Sequence, residues 1–388
     1  MTVLEAVVKQ TGIYARSRLG RLSVFWGDQV FIPSAPFEYT PTHHVDIMCT
    51  LLGETAPTAE EWVAQGLDKY GVIAVSSAAS RNAAQVEKVD HATAIKMLAS
   101  LGDIGQVGPS LGSFSVSAQI LKALMGEYAS ELEAKDGKFD TDPHFWMPLT
   151  LPESDYCDLM KQKGVDEVTS KAHHERMSKM KANFDLGTLG LFGAVDVGKD
   201  ACWWDYGLLK LYSINNKKII EQSENADLLR MFLGVTSKQM DSTVSEEVKV
   251  DDVSCLFSCQ LSGSGSVSNS VLSCVQAKEV DINDAIVVNC VAKKIVAKSG
   301  AILYNLVSED EIVAEEGAVM VSVTEEDGTQ IPLNSNMSIC GGKAWKEIVE
   351  GNTMSFEDMH TKNKDANVGK IAGVRAELFK KASSSFGH

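Results

Sequence analysis

The sequence predicts an α/β protein in which a domain with a mostly parallel sheet precedes a parallel β-helix. Two observations favour this fold class. Short apolar runs that end in turn residues, the first at 22–26, are typical of buried strands in such sheets. After residue 252, strand-like segments recur at a fixed short period, as they do in stacked β-coils. A chain of 388 residues is long enough to give both parts a well-buried core.

Composition and charge restrict the classes of function. The chain is 44% hydrophobic and 23% charged, which is ordinary for a globular protein. Its formal charge of -16 argues against sequence-independent nucleic-acid binding, because such binding requires a basic surface that displaces counterions. An anionic substrate would therefore have to be received at a locally basic or metal-loaded site.

The sequence predicts neither a membrane segment nor a secretion signal. No apolar run approaches the roughly 20 residues needed to cross a membrane, and residues 1–12 lack the basic and apolar regions of a signal peptide. The eight cysteines include no CxxC pair, and the closest two, Cys255 and Cys259, have no nearby histidine, so a zinc site is not expected. We expect a cytoplasmic protein whose thiols are reduced and mostly buried.

The chain begins on a predicted amphipathic helix, Thr2–Ser17, which leads into a strand at Leu22. In a doubly wound domain, such a helix follows a first strand and a turn that holds phosphate. Neither of these precedes the helix in this sequence. We therefore expect the α/β domain to be incomplete at its N-terminus.

Two apolar-aromatic runs end in an aspartate. The first closes with Gly27 and Asp28, and the second, CWWDYG at 202–207, contains Asp205. Ligands of open α/β sheets lie beyond the carboxyl ends of the strands, which would place both acids where chemistry occurs. Two such carboxylates could hold one Mg²⁺ together with substrate phosphates. For an isolated Gly-Asp, an ordinary turn aspartate is the alternative interpretation.

Alternating strands and helices are predicted between and around these two runs. Thr58 is expected to cap the first of the helices. The adjacent His173 and His174 cannot share a helix face, so we interpret 173–176 as a solvated surface rather than a metal site. The predicted elements are strands at 45–52, 70–75 and 85–89 and helices at 58–66, 117–134, 153–184 and 208–222.

Two positions in this region are candidate substrate contacts. The strand at 85–89 contains Glu87 and Lys88, which would put a cation at the edge of a cleft, and an exposed hairpin lysine is the alternative. Residues 107–116 mix glycine, proline and serine with β-branched and aromatic residues. Gly112 is expected to break this strand with a bulge or a close backbone approach.

Beyond a polar segment at 231–252, interpreted as a linker, one polar residue recurs after pairs of apolar residues. It stands at positions 258, 273, 289, 305 and 322, which are 15, 16, 16 and 17 residues apart. The pattern predicts a parallel β-helix over 253–345 with ladders of Ser and Asn and an apolar column of cysteines. The expected cysteine column consists of Cys259, Cys274 and Cys290. An antiparallel β-sandwich is the weaker alternative.

Residues 346–388 are expected to form a polar tail segment with a closing helix at 368–382.

Taken together, roughly residues 1–345 resemble a sugar-phosphate nucleotidyltransferase with a C-terminal left-handed β-helix. This is the arrangement of the ADP-glucose, GDP-mannose and UDP-N-acetylglucosamine pyrophosphorylases. The run that ends in Gly27 and Asp28 matches the family's strand-end Gly-Asp, whose aspartate binds the catalytic Mg²⁺. The Trp-Asp-Tyr-Gly element that contains Asp205 resembles the one that carries the second metal ligand.

Two further motifs are similar to those that contact the sugar phosphate in this family. Glu87 and Lys88 stand where the family has Glu-Lys-Pro, with Val89 in place of the proline. The segment 110–114, which contains Gly112, resembles the family's Asn-x-Gly-x-Tyr strand. The resemblance thus implies that Gly27, Glu87, Lys88 and Gly112 contact substrates.

The resemblance implies an incomplete Rossmann-like nucleotidyltransferase domain over 1–230, followed by the left-handed β-helix. The expected reaction transfers a nucleotidyl group from a nucleoside triphosphate to a sugar 1-phosphate, giving a nucleotide sugar and pyrophosphate. Asp28 and Asp205 would hold the Mg²⁺, and Lys88 would neutralise the sugar phosphate. Such a reaction depends on positioning and charge neutralisation rather than on covalent groups.

One departure from the family pattern leaves a second function open. The glycine-rich loop Gly-x-Gly-x-Arg, which supplies backbone N–H groups and cations to the triphosphate, is absent from the sequence. The alternative is a non-catalytic regulatory or scaffolding subunit that binds a sugar phosphate or nucleotide sugar and assembles with a catalytic partner. In either case the β-helix is expected to mediate a homo-oligomer or a partner contact. A β-helix acyltransferase is excluded because residues 250–345 contain no histidine.

Overall fold

The computed structural model describes residues 20–33, 39–134 and 142–387. The chain divides into two compact units, Met1–Trp203 and Trp204–His388. The division falls within the CWWDYG run, whereas the sequence placed a boundary at residue 230. The helix expected at Thr2–Ser17 lies outside the described residues.

The first unit combines helices with a sheet, so the α/β class is confirmed. Its strands are β1 (Arg21–Val24), β2 (Gln29–Ile32), β3 (His43–Cys49), β4 (Gly71–Ser76), β5 (Ala83–Glu87), β6 (Ile104–Ser117) and β7 (Gly190–Asp196). The boundary between the units falls within β8 (Cys202–Asp205). Its helices are α1 (Ala59–Ala64), α2 (His91–Leu98), α3 (Ala118–Glu127), α4 (Ala129–Ala134), α5 (Met147–Thr150), α6 (Glu153–Gln162) and α7 (Glu167–Asn183). A π-helical turn, Asp142–Trp146, precedes α5. Thr58 caps α1 as expected, in a reciprocal capping box with Glu61.

The sheet of the first unit has the strand order β5-β4-β6-β3-β7, and β1 pairs with β6. Strands β3 and β7 are parallel, whereas the four other pairings of this sheet are antiparallel. The expectation of a mostly parallel sheet is therefore wrong for these strands. Strands β4 and β5 are joined by a short turn, which permits only an antiparallel pair. Strand β6 is antiparallel to each of its neighbours, β1, β3 and β4.

Strand β1 coincides with the first apolar run, but it is not the buried strand that the run predicts. Its described pairing is with β6 alone, and Leu22 is 47% exposed. A short apolar run looks the same in an edge strand as in a central one, which explains the error. A buried ion pair fixes β1 instead: Arg21 Nη2 lies 3.3 Å from Asp46 Oδ2, with both side chains at most 5% exposed. Arg21 Nε also donates to Ser115 Oγ at 2.7 Å.

Helix α7 is not the solvated surface that its sequence suggests. His174 is buried and its Nε2 bonds the carbonyl oxygen of Leu151 at 2.9 Å, while His173 is half-buried with Nε2 3.0 Å from the carbonyl oxygen of His144. The two rings therefore point to different backbone segments, as expected for adjacent helical positions. Polar composition hid this burial, because each imidazole is satisfied by a carbonyl group. Within the described residues, no helix has both the length and the apolar character needed to cross a bilayer.

The second unit opens with helices α8 (Leu209–Lys217) and α9 (Glu224–Leu233), which precede a parallel β-solenoid of about five turns. Leu209 and Tyr212 pack against an apolar cluster on the solenoid, and Lys217 Nζ donates to the carbonyl oxygen of Asp284 at 2.7 Å. The segment 231–252 is not a linker, since it contains the end of α9 and the first solenoid strands. These strands are β9 (Gln239–Met240), β10 (Thr243–Val244) and β11 (Val248–Val250).

The remaining solenoid strands form two sheets, with orders β9-β12-β14-β16-β18-β20-β21 and β10-β13-β15-β17-β19. Strand β13 also pairs with β11, and its register against β15 shifts between Leu261 and Ser264. All pairings from β9 to β20 are parallel, which rules out the antiparallel sandwich. The strands are β12 (Cys255–Phe257), β13 (Gln260–Ser268), β14 (Val271–Ser273), β15 (Gln276–Asn283), β16 (Ile286–Val288), β17 (Val291–Ala297), β18 (Ile302–Tyr304), β19 (Glu311–Ala314), β20 (Ala318–Thr324) and β21 (Gln330–Asn336).

The repeat is confirmed except for a slip of one residue in one turn. Ser273 pairs with Phe257 and Val288, so the residue equivalent to Ser258 and Asn289 is Cys274. The corner positions Ser258, Cys274, Asn289 and Asn305 all have positive φ, between 54° and 60°. The repeat predicted from the sequence included Ser273 because that residue is polar. In the structure, the buried Val275 that follows the corner determines the register.

The slip also changes the predicted cysteine column. Cys259 and Cys290 are fully buried, but Val275 takes the place between them and Cys274 is exposed. Polar ladders are present as expected: Asn289 Nδ2 donates to Asn305 Oδ1 at 2.9 Å. A further ladder lies at another corner, where Ser254 Oγ accepts from the Ser270 N–H at 3.1 Å and Ser270 Oγ accepts from the Ala285 N–H at 3.0 Å.

The solenoid ends in a strand that reverses direction. Strand β21 is antiparallel to β20, and helices α10 (Gly341–Ala344), α11 (Phe356–Asn363) and α12 (Val368–Ser385) follow. The expected closing helix is thus confirmed as α12, which ends three residues later than predicted, at Ser385. It lies against the solenoid, where Arg375 donates to Asn305 Oδ1 at the last turn of the corner ladder.

Candidate functional site

The middle of strand β6 carries the bulge that the sequence predicts. Ile47 pairs with Phe114 and Cys49 with Ser110, so β6 has two extra residues opposite Met48. Gly112, in this bulge, has a φ of +75°, and a Cβ there would lie 2.5 Å from Trp26 Nε1. The Gly112 N–H donates to Ser110 Oγ at 3.2 Å. A glycine is therefore required both by the backbone conformation and by the indole that covers it.

A second glycine brings Glu87 to the same part of the sheet. Gly71 pairs with Glu87 across β4 and β5. A Cβ on Gly71 would meet Glu87 Oε2 at 2.5 Å and Ser110 Cβ at 3.4 Å, so the carboxylate lies across the Gly71 backbone beside Ser110. The Glu87 side chain is 13% exposed. This half-buried acid adjoins the Gly112 bulge through Ser110.

Lys88 follows Glu87 in a left-handed conformation, with a φ of +54°. Its N–H donates to the carbonyl oxygen of Tyr70 at 3.1 Å, which fixes the backbone at the end of the hairpin. Its side chain is 67% exposed, and Nζ lies 3.6 Å from Glu87 Oε1. The ammonium group therefore lies in solvent beside the acid. This position fits a cation at the edge of a binding surface and equally fits an exposed hairpin lysine.

Tyr70, whose carbonyl oxygen accepts from the Lys88 N–H, leads to a pair of aromatic side chains. Tyr70 and Trp203 make an edge contact with ring centroids 5.6 Å apart, and Trp203 Nε1 donates to Gln29 Oε1 at 3.1 Å. Trp26, over Gly112, is 45% exposed. We call the surface formed by these groups the Gly112 site. Its members are Trp26, Tyr70, Glu87, Lys88, Ser110, Gly112 and Trp203.

The Gly112 site lies at the edge of the sheet that the sequence indicated. Ser110 pairs with Cys49, the last residue of β3, and Cys49 pairs with Asp196, the last residue of β7. Because β3 and β7 are parallel, this is their carboxyl-end edge, where ligands of open α/β sheets bind. Asp196 is an acid that the sequence analysis did not single out, although it closes a strand as Asp28 was expected to do. Its Oδ1 accepts from the N–H groups of Leu51 at 3.1 Å and Gly198 at 3.0 Å, so it holds two loops in place.

The two expected metal ligands are placed in different units. Gly27 and Asp28 are exposed in the turn after β1, directly after Trp26, and so adjoin the Gly112 site. Asp205 belongs to the second unit. There its Oδ1 accepts from the Gly207 N–H at 2.8 Å, the hydrogen bond of a turn aspartate. Its carbonyl oxygen accepts from Asn215 Nδ2 at 2.7 Å.

The chemistry of these two acids is suited to Mg²⁺. Carboxylate oxygens, water and substrate phosphates are the ligands that Mg²⁺ prefers. Asp28 is exposed, and Asp205 is partly exposed with Oδ1 engaged by the turn, so Oδ2 would be its ligand atom. Over the described ranges, no group of three or more His, Cys, Asp or Glu side chains could hold a metal ion by itself.

Buried charges fix the beginning of β1, the strand that precedes the turn with Asp28. Besides Arg21, Asp46 accepts a hydrogen bond from the Tyr39 hydroxyl. Burial and the negative charge of Asp46 raise the pKa of Tyr39 far above its usual value, so it stays a neutral donor. Arg21 Nη1 also donates to the carbonyl oxygen of His43 at 3.0 Å. This network joins the start of β1 to β3 and β6.

The sequence was compared with models of known protein families and with curated proteins, and neither comparison produced a match.

Proposed function

We propose that the Gly112 site binds the sugar phosphate of a Mg²⁺-dependent sugar-1-phosphate nucleotidyltransferase. The observation that carries the proposal is the convergence of Glu87, Lys88, Gly112 and the Gly27–Asp28 turn at the carboxyl-end edge of β3. The same proposal includes the finer features of the fold, namely an incomplete Rossmann-like domain and a left-handed solenoid.

Each group of the site has a role in this proposal. The bare backbone at Gly71 and Gly112 permits close approach of a sugar ring, and the exposed face of Trp26 offers an apolar surface to it. Glu87 accepts hydrogen bonds from sugar hydroxyl groups, because a partly buried carboxylate is a strong acceptor. The exposed ammonium group of Lys88 pairs with the phosphate as a point charge.

The nucleotidyl transfer is an in-line displacement. A phosphate oxygen of the sugar 1-phosphate attacks the α-phosphorus of the nucleoside triphosphate, and pyrophosphate leaves. Asp28 and Asp205 would hold Mg²⁺, which neutralises charge on the transferring phosphates when bound. The protein's own contribution is to orient the attacking phosphate through Lys88 and to fix the sugar through Glu87 and Gly112.

The test is pyrophosphate release by the full chain with Mg²⁺, a panel of nucleoside triphosphates and a panel of hexose 1-phosphates. We expect Asp28→Asn to reduce turnover by about 100-fold or more, because charge neutralisation dominates this reaction. Asp103→Asn, which changes an exposed acid of the same unit, is the matched control and should leave turnover unchanged. Turnover in Asp28→Asn equal to that of the control would refute the assignment.

A regulatory or scaffolding subunit is the second candidate, favoured by the solenoid, whose turns present extended parallel surfaces for assembly as a homo-oligomer or with a catalytic partner. Calorimetric titration with glucose 1-phosphate and mannose 1-phosphate separates the two candidates. Binding that is lost in Glu87→Gln, without pyrophosphate release from any triphosphate, supports the subunit. Turnover that is lost in Asp28→Asn supports the enzyme.

A further inference from the structure

A cleft of about 650 Å³ lies in the first unit, away from the Gly112 site. Its walls are formed by the segment 148–152, the second half of α7 and the beginnings of β5 and β7. A cleft of this size is within the range that encloses a small organic molecule. We call it the Lys181 cleft, after the cation that lines it.

The Lys181 cleft is distinct from the Gly112 site because the two lie at opposite ends of the same strands. The cleft contains Ala83, the first residue of β5, and Gly190, the first residue of β7. The Gly112 site instead adjoins Glu87, the last residue of β5. At about 3.3 Å per residue, the four steps from Ala83 to Glu87 separate the two sites by roughly 13 Å.

Lys181 supplies a positive charge that no described acid neutralises. Its Nζ donates to the carbonyl oxygen of Leu149 at 2.8 Å, and no described carboxylate forms an ion pair with it. Partial burial of the ammonium group lowers the pKa of Lys181. By contrast, Lys179, two residues earlier in the same helix, forms an ion pair with Glu175 in which Nζ and Oε1 are 2.8 Å apart. The Lys181 ammonium is therefore oriented at the cleft by a neutral carbonyl rather than by an acid.

Lys181 is the one lysine or arginine among the residues that line the cleft. His174 bonds the carbonyl oxygen of Leu151 through Nε2 at 2.9 Å, and its Nδ1 lies 3.4 Å from Ser178 Oγ, so both ring nitrogens are engaged by neutral groups. Leu149, Leu151 and Phe192 are buried at the base of the cleft. The surface thus combines one cation with hydroxyl groups and an apolar base.

We infer that the Lys181 cleft binds a small organic monoanion, with its acid group on Lys181 Nζ and an apolar body against Leu149, Leu151 and Phe192. A single cation matches a single negative charge, whereas a polyphosphate would require several. The apolar base gains by covering an alkyl or aryl group. The inference is independent of the proposed function, since it uses none of the residues of the Gly112 site.

The test is a fluorescence titration of the full chain with 8-anilinonaphthalene-1-sulfonate, followed by displacement with sodium octanoate. We expect saturable binding that Lys181→Met weakens by about tenfold or more, because it removes a charge-assisted hydrogen bond. Lys181→Arg, which keeps the charge, should bind much more nearly like the original chain. Lys179→Met is the matched control on the same helix and should leave the affinity unchanged.

The thermal unfolding midpoint of each variant shows whether it is folded, and octanoate should raise the midpoint of the original chain more than that of Lys181→Met. Equal affinity of Lys181→Met and Lys179→Met for the dye would overturn the inference. Displacement of the dye by inorganic phosphate at the concentrations at which octanoate acts would overturn the role of the apolar base. Displacement by octanoate alone supports it.

Discussion

The two units of this protein show different relations between sequence and structure. In the solenoid, residues that stack on one another are 15 to 17 positions apart and repeat the same role. In the first unit, the Gly112 site joins Trp26 to Gly112 and Gly71 to Glu87, pairs with no common spacing. A repeated register therefore determines the solenoid, whereas individual pairings that do not recur determine the site.

The two cores differ as well. The solenoid interior is a continuous aliphatic and thiol column in which Leu256, Leu272 and Val287 are fully buried on successive turns. The first unit buries a charged network around Arg21 and Asp46 next to its aliphatic core. The stability lost when one buried group is removed should therefore have a different physical origin in each unit. Four substitutions test this, from the largest expected effect to the smallest.

Arg21→Met should give the largest loss of stability, because it leaves the Asp46 carboxylate buried without its cation. Removing one partner of a buried ion pair costs about 3–5 kcal/mol. Urea unfolding followed by tryptophan fluorescence measures it well, since Trp26, Trp62, Trp146 and Trp203 lie in the first unit. Arg81→Met, which alters an exposed arginine bonded to Gln106, is the control. A loss no larger than that of the control would show that β1 is held by other contacts.

Leu272→Ala should come next, through a cavity in the solenoid. Leu272 is fully buried and pairs with Leu256 and Val287 on the adjacent turns. Deleting such a side chain costs about 2–5 kcal/mol, with the lower half of that range expected if neighbouring turns relax. Val313→Ala, at a residue 42% exposed on β19, is the control. Unfolding followed by far-ultraviolet circular dichroism should separate them, and equal midpoints would contradict the stacking described here.

Gly112→Ala should destabilise the chain less but affect binding at the site more. A side chain at positive φ costs about 1 kcal/mol, and the Cβ would also displace the Trp26 indole. Gly102→Ala is a close control, because Gly102 has a φ of +76° and no atom lies within 4 Å of its Cβ position. The difference between the two variants in hexose 1-phosphate affinity measures the role of the Trp26 contact. Equal affinities would separate Gly112 from the site.

Cys274→Asn should have the smallest effect, and it should be stabilising. Cys274 occupies a left-handed corner at which Asn289 and Asn305 stand in later turns. Asparagine tolerates this conformation better than other side chains, so a gain of about 0.5 kcal/mol is expected. Ser273→Asn, one residue away in strand β14, should bring no gain. Stabilisation by Ser273→Asn instead of Cys274→Asn would indicate that Ser273 occupies the corner, as the repeat in the sequence predicts.

Several elements were predicted from the sequence for identifiable reasons. The solenoid, the bulge at Gly112 and the Thr58 cap depend on local signals: a period, a glycine in a strand and a capping residue. The expected burial of β1 failed because its neighbours are set by a pairing between Arg21 and Ser117, 96 positions away. The orientation of Trp26 over Gly112 and the aromatic edge at Trp203 depend on similar pairings. No local pattern could have shown them.

The reversed strand β21 also limits how this molecule can grow. A parallel coil is in principle an open-ended template, because each turn offers its successor an unpaired row of backbone groups. In the sheet that runs through β18 and β20, the last such row is paired with a strand that runs the other way, and α10 to α12 follow it. A further parallel strand could not add to β20 without displacing β21. In this sheet, the reversal therefore acts as a stop against edge-to-edge growth.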